Sequence, residues 1–438
     1  AWENLTYVET GDPQTVGLFH ASDKGGSPMH LWVGIKNAIG DGSFLDRNGL
    51  VVGTLYAWKA DNGDTSPQQF NTAGSVRAGD WFPLTTLEPG MAGMPGYDAF
   101  GWQDGDTLYN QAVAQGAFQF SRPEDVGTNP ANGQQVAFAS TGRGSLFPSD
   151  NWGTIYVVDF DFSGAAPRST FRILVDADFE AVPDAGVRSP DNLVWASDGF
   201  IYAQEDRSTS PSSLFGGVSG RDSSIWRIDA TTGNPTRVAE MNRSVVLPTD
   251  ATDRAAALTT FGNPQLGNWE NSGIIDVTDL FATEPGEILL LANVQAHGIR
   301  DGAIGDNPNL DEGGQLFFMS NQGIDHSAES FGGPAGADVV VNVTNGTPNA
   351  IYAVVPALTN RGVAPNGYFF GIDASLFDFG VTTGTPGFLG ALDLNGNATF
   401  NIPVPGGSNP IGFVLDAVAV ELTSASGIPT AASPAVTH

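Results

Sequence analysis

A chain of 438 residues has room for two or three domains, or for one large repetitive domain and a small one. With 56 Gly, 28 Pro and only 15% charged residues, it is too apolar for disorder and too turn-rich for a helical protein. A formal net charge of −30, with three lysines among eighteen basic residues, argues against nucleic acid or an anionic membrane as partner. The absence of cysteine excludes disulfides, thiolate metal sites and cysteine nucleophiles.

The first residues, "AWENLTYVE", are already polar and structured in character, which suits a mature exported protein after removal of a signal peptide. No run of about 18 apolar residues is present, so no membrane-inserting helix is expected. Strand signals then follow in pairs. "MHLWVGIKN" precedes "GTLYAWKAD" at Gly53, and "VAFASTGRG" precedes "GTIYVVDFD" at Gly153. "FIYAQEDRS" precedes "SSIWRIDATTG" at Ser223, and "ILLLANVQAH" precedes "GQLFFMSN" at Gly314. The best amphipathic helical run, Asp250 to Phe261, is short.

Two units overlay in more detail. "RPEDVGTNPANGQQVAFAST" from Arg122 and "SPDNLVWASDGFIYAQED" from Ser189 share a Pro, an acid, an aliphatic residue, a Gly turn and an aromatic strand. Their prolines, Pro123 and Pro190, are 67 residues apart. Such a repeat predicts an all-β chain built as a β-propeller, with a β-helix or a sandwich as alternatives. Residues 1–333 have room for five or six blades. "AESFGGPAGAD" (Ala328 to Asp338) reads as a linker, beyond which there is no tryptophan and Arg361 is the sole Lys or Arg. The alternating strands and Asn-Gly turns of residues 334–438 predict a small C-terminal β-sandwich.

Loops at one rim of a propeller bring equivalent residues of successive blades together. Glu124 and Asp125, Asp191 and Asn192, and Glu205 and Asp206 are therefore expected to converge, with Glu270 and His297 as further members. Clustered carboxylates repel one another unless neutralised, and calcium takes six to eight such oxygens in loose geometry. After a proline, Asp125 and Asp191 also serve as ordinary turn closers. Glu205 and Glu270 are not turn residues, which favours a functional role. A histidine at a strand end such as His297 is a hydrogen-bonded structural residue or a ligand. Arg122, Arg143 and Arg207 border these motifs and suit either an anionic substrate or a neighbouring carboxylate. The acidic loops at Asp176 and Asp311 lack EF-hand spacing. No nucleophile elbow, phosphate loop, dinucleotide fingerprint or zincin motif occurs.

"RPEDV", "SPDNLVWASDGFIYAQED", "ENSGIIDVTDLF" (Glu270 to Phe281) and "LLLANVQAH" (Leu289 to His297), in that order, resemble the PhoX-type alkaline phosphatase family. The resemblance implies a secreted bacterial propeller that hydrolyses small phosphate esters at a mixed iron and calcium centre. It further implies Glu124, Glu205 and Glu270 as metal carboxylates, with His297 nearby. Family members hold iron through a cysteine thiolate that this chain lacks, so calcium is the expected cofactor and iron pairing is put in question. With Asp125, Asp191, Asn192 and Asp206 these residues make the expected metal set, and Glu205, Glu270, His297 and Arg122 the expected catalytic set. The tail from Asp338 resembles a sandwich module of planctomycete-like secreted proteins, implying surface attachment or self-assembly. The rival reading is a non-catalytic extracellular protein of a surface layer, filament or matrix, stabilised by calcium.

Overall fold

The computed structural model describes residues 3–178, 186–207, 223–241, 269–281, 286–297, 307–308, 313–320, 328–332, 339–344, 346–357, 389–402, 416–422, 429–432 and 436–437. The expected helix at Asp250 to Phe261 and the acidic loop at Asp311 lie outside them. The described residues are mostly strand, as expected. Contacts divide the chain into one unit of residues 1–243, 252–278 and 288–318, and another of residues 244–251, 279–287 and 319–438.

In the first unit, β1 (Leu5–Val8), β2 (Thr15–His20), β3 (His30–Ile35), β4 (Gly53–Ala60) and β5 (Val76–Pro83) form an antiparallel meander. A second meander comprises β6 (Pro123–Thr128), β7 (Gln135–Ser140), β8 (Thr154–Asp161) and β9 (Arg168–Asp176). Strand β5 pairs with β9, which joins the two meanders into one nine-stranded sheet. The sheet curls until its edges meet. Thr6 Oγ1 and Thr128 Oγ1 are 2.8 Å apart, the Asn4 amide donates to Asp125, and the Thr128 hydroxyl donates to the Tyr7 carbonyl.

All nine strands line the interior of this sheet, with Phe19, Trp58, Trp81, Phe138, Tyr156 and Phe171 fully or almost fully buried. Trp58 and Phe171 lie with ring centroids 4.0 Å apart, and Phe138 stacks on Tyr156 at 4.7 Å. The apolar runs "VAFAS" and "TIYVV" do not alternate with polar residues because both of their faces are buried. Val136, Phe138, Tyr156 and Val158 face the interior, while Ala137, Ala139, Ile155 and Val157 face the next sheet.

That next sheet is the meander β10 (Pro190–Trp195), β11 (Phe200–Glu205), β12 (Ser224–Asp229) and β13 (Pro235–Glu240), which contributes Leu193, Ile201, Ala203 and Trp226 to the shared core. A further sheet follows, β14 (Glu270–Asp276), β15 (Leu289–Ala296) and β16 (Gly313–Ser320), with β14 packed on β10 and β11. Sheet-on-sheet stacking of consecutive meanders is the packing of propeller blades. Four blade-like meanders are present among the described residues, against an expectation of five or six, and two share a hydrogen-bonded edge.

A short helix, α1 (Phe44–Arg47), lies between β3 and β4, and a longer one, α2 (Gly105–Ala114), between β5 and β6. Asp104 caps α2 by accepting from Thr107 N at 2.8 Å, and Ala112 and Leu108 pack on Leu55 and Ala57 of β4.

In the second unit, β17 (Ala328–Gly332), β18 (Val339–Thr344) and β21 (Ala398–Ile402) form one antiparallel sheet. A second contains β19 (Ile351–Ala357), β20 (Leu389–Ala391), β22 (Asp416–Leu422), β23 (Pro429–Ala432) and β24 (Val436–Thr437). Part of the stretch expected as a linker is thus strand β17, paired with β18.

His20 and His30 face each other across β2 and β3, and both are buried. Burial pushes His20 down to about 4 and His30 down to about 3, the latter helped by His20. Both imidazoles are therefore neutral in the fold. The unfolded chain binds protons below about pH 6.5, so this stability is complete above that pH and is lost as pH falls toward 4. Unfolding stability is expected to drop by about 2 kcal/mol per histidine between pH 7 and pH 5. Urea denaturation at the two pH values checks this, and His30→Gln should roughly halve the difference.

Candidate functional site

The two overlaid motifs fold into the same irregularity. In β6 the ladder to β7 shifts between Pro123 and Val126, leaving Glu124 and Asp125 opposite one residue. In β10 it shifts in the same way between Pro190 and Leu193, leaving Asp191 and Asn192. A third shift, between Asn271 and Ile274, bulges β14 at Ser272 and Gly273. Arg122 and Ser189, just before the two prolines, both have left-handed backbone (φ 58° and 45°), which is strained for non-glycine residues and re-aims the chain. The Arg122 carbonyl accepts from Thr141 N, and the Ser189 carbonyl accepts from Asp206 N, each at 2.9 Å.

By this register Glu124 and Asp191 are equivalent, and Thr141 is equivalent to Asp206. Glu270 pairs with Gln295, two positions before its bulge, and so takes the place that Arg122 holds in the second meander. The carboxylates converge, but from three different positions of the repeat.

Arg122 is the hub. Its Nε donates to Asp23 Oδ1 at 2.8 Å, one terminal nitrogen lies 2.9 Å from Glu124 Oε1, and the other lies 3.6 Å from Asp206 Oδ2. The Thr141 hydroxyl lies 3.2 Å from Glu124 Oε1, 3.3 Å from Asp191 Oδ1 and 3.1 Å from the Pro190 carbonyl. Glu270 is hydrogen-bonded to Asp206, and its Oε2 lies 3.2 Å from His297 Nε2.

Five acids around one arginine cannot all ionise cheaply. Burial, then the charge of Asp191, pushes Glu124 up to about 10. Burial and Glu270 push Asp191 up to about 7, and burial and Glu270 raise Asp206 well above the usual range. Burial opposes ionisation of Glu270 too, but hydrogen bonds with His297 and Asp206 bring it down to about 2. Arg122 likewise outweighs burial at Asp23 and lowers it.

Two expected members, Glu205 and Asp125, are used elsewhere, and a third, Asn192, bonds a member of the cluster. Glu205 is fully buried, with Oε1 accepting from Arg188 N at 2.9 Å and Trp226 Nε1 at 2.7 Å, and Oε2 accepting from Ser224 N at 2.8 Å. Asp125 bridges meanders, accepting from Leu193 N at 2.9 Å and Val126 N at 2.7 Å. Asn192 donates its amide to Asp191 Oδ2 at 2.7 Å. Two residues not singled out from sequence, Asp23 and Thr141, join the cluster. A cavity of about 530 Å³ lined by Asn129, Gln135, Arg172 and Trp195 lies at the far end of β6 and holds no carboxylate.

The family model for alkaline phosphatase PhoX matches residues 2–257. The chain belongs to the PhoX alkaline phosphatase family. No curated protein matches it significantly. Among solved structures, Pseudomonas fluorescens PhoX in complex with vanadate, a transition state analogue, is 21% identical with a TM-score of 0.47, covering 73% of this chain and 53% of that one. The chain therefore spans about half the length of that PhoX (53%). A tetra-tandem repeat in the extending region of a large adhesion protein is 10% identical over 99% of this chain and 97% of that one, with a TM-score of 0.15. At these TM-scores neither structure adds to the family match.

The cluster brings together the oxygens of Asp23, Glu124, Asp191, Asp206, Glu270 and the Thr141 hydroxyl, beside the His297 imidazole. With no thiolate available, this donor set fits a hard cation. Among the described residues, no three Asp, Glu or His side chains already surround one point as ligands. Their oxygens turn instead to Arg122, Thr141 and one another. Also among the described residues, no helix is long and apolar enough to cross a membrane.

Proposed function

We propose that this chain is an exported, calcium-dependent phosphoesterase acting on simple phosphate esters. The reading rests on one observation, the convergence of Glu124, Asp191 and Asp206 on Arg122, with Glu270 hydrogen-bonded to Asp206, in a PhoX-family domain. Asp23, Glu124, Asp191, Asp206 and Glu270 would hold the cation, with Thr141 fixing Glu124 and Asp191. When bound, a divalent cation polarises a phosphoryl oxygen and makes water acidic enough to attack. Arg122 offsets the remaining carboxylate charge and keeps the donors together. His297, paired with Glu270, would carry a proton to or from the ester oxygen. Glu205 and Asp125 serve as strand ties outside this set. The carboxylate surplus and the lack of cysteine support export, and for the C-terminal sheets the module resemblance supports surface attachment or self-assembly.

Removing calcium with a chelator is expected to abolish para-nitrophenyl phosphate hydrolysis, and adding calcium back to restore it. Metal analysis of the active sample should find calcium without stoichiometric iron. A calcium-loaded protein that cleaves neither monoesters nor diesters overturns the enzymatic reading in favour of a non-catalytic extracellular role. Sedimentation of that sample across protein concentrations reads self-assembly directly.

A further inference from the structure

Arg122 is largely taken up by the cluster itself. Its Nε and one terminal nitrogen are held by Asp23 and Glu124, and the other terminal nitrogen, 3.6 Å from Asp206 and without a hydrogen bond, is buried away from solvent. A phosphate monoester is a dianion, and it must approach five carboxylates on a chain of net charge −30. A second, uncommitted cation at the mouth of the cluster would answer that repulsion.

Arg143 fits this role. It lies two residues beyond Thr141, which touches Glu124 and Asp191. Its backbone is pinned: its N–H donates to the Asp150 carbonyl at 2.9 Å, and its carbonyl accepts from Leu146 N and Phe147 N, each at 2.9 Å. Its side chain is exposed, and among the described residues its guanidinium carries no hydrogen bond or ion pair. The guanidinium lies against the backbone of the loop that carries Asp23. A Cβ added at Gly25 would come 2.8 Å from one of its terminal nitrogens. The φ of Gly25 lies outside the left-handed range, so the close approach of Arg143 is what a side chain there would meet. At the neighbouring Gly26 a Cβ would meet Leu146 and Phe147 at 3.3 Å, so the two glycines together admit the 143–147 turn.

We propose that Arg143 is the phosphoryl-binding residue of this site, its planar fork donating to two non-bridging oxygens of the ester while Arg122 stays among the carboxylates. The assignment rests on the phosphoesterase reading above and names the group that recruits its substrate. Gly25 is the positioning residue that leaves room for the guanidinium.

The test uses calcium-loaded protein and two probes, inorganic phosphate binding by calorimetry and hydrolysis of para-nitrophenyl phosphate. Arg143→Ala is expected to weaken phosphate binding about 10- to 100-fold and to raise KM by a similar factor, with calcium affinity unchanged. Arg143→Lys should restore part of the loss, and Gly25→Ala should weaken phosphate binding by displacing the guanidinium. Wild-type phosphate affinity in Arg143→Ala overturns the assignment while leaving the phosphoesterase reading intact. A parallel loss of calcium affinity also overturns it, because Arg143 would then act through the cation site. A wild-type protein that neither binds phosphate nor hydrolyses the ester overturns both.

Discussion

Glu270→Gln is expected to cut calcium-dependent phosphate ester hydrolysis by at least about 100-fold and to weaken calcium binding by a similar factor. Within the cluster, burial and like charges push Glu124, Asp191 and Asp206 toward their neutral forms, whereas Glu270 is brought down to about 2 by His297 and Asp206. It is thus a negative charge present at every working pH. Glutamine keeps the shape and one acceptor oxygen but removes that charge and the partner of His297, 3.2 Å away. Calorimetric calcium titration and steady-state rates check the two effects separately. Unchanged calcium affinity in Glu270→Gln would remove this residue from the cation site.

Glu205→Ala is expected to cost about 3–5 kcal/mol of stability and to leave calcium affinity where it was. The Glu205 carboxylate closes the end of the third meander by taking the N–H groups of Arg188 and Ser224 and the indole N–H of Trp226, all in a fully buried setting. Truncation strands three donors away from water and removes a negative charge beside the buried Arg188. Glu205→Gln should cost less, since one oxygen remains, but its NH₂ then confronts a backbone or indole N–H. Denaturant melts with and without calcium separate these outcomes. A fall in calcium affinity at constant stability would return Glu205 to the ligand set.

The repeat was legible in sequence where it was local. "RPEDV" and "SPDNL" correspond residue by residue, and the structure gives them the same bulge, the same left-handed residue before proline and the same backbone bond from the following strand. What the motifs could not tell apart was which of two adjacent acids turns inward. A bulge sends its two residues to different surroundings, so Glu124 meets Arg122 while Asp125 meets the neighbouring backbone, and nothing in the pair of letters distinguishes them. Glu205 was misleading for a related reason: glutamate is no turn former, but a buried strand end has its own unmet N–H groups.

Asp23 and Thr141 were missed because their partners are remote in sequence. Asp23 is 99 residues from Arg122, and Thr141 is 50 from Asp191. An acid followed by Gly25-Gly26 after an apolar strand was the available signal for Asp23. Helix α2 was overlooked because it packs on β4 through little more than Leu108 and Ala112, which makes a thin apolar stripe. The edge joining β5 to β9 had no sequence signature, since pairing of outer strands depends on how far the whole sheet curls.

The three bulges have a bearing on how such a centre could be altered. An acidic site built from side chains alone is lost when a side chain changes, but here the aim of Glu124 and Asp191 is set by one surplus backbone residue on each first strand, whatever residues fill it. Ser272 sits in the third bulge at the place corresponding to Glu124 and Asp191. It marks a seat where the scaffold could accept another donor with no change of path, so the charge of the centre is adjustable independently of its architecture.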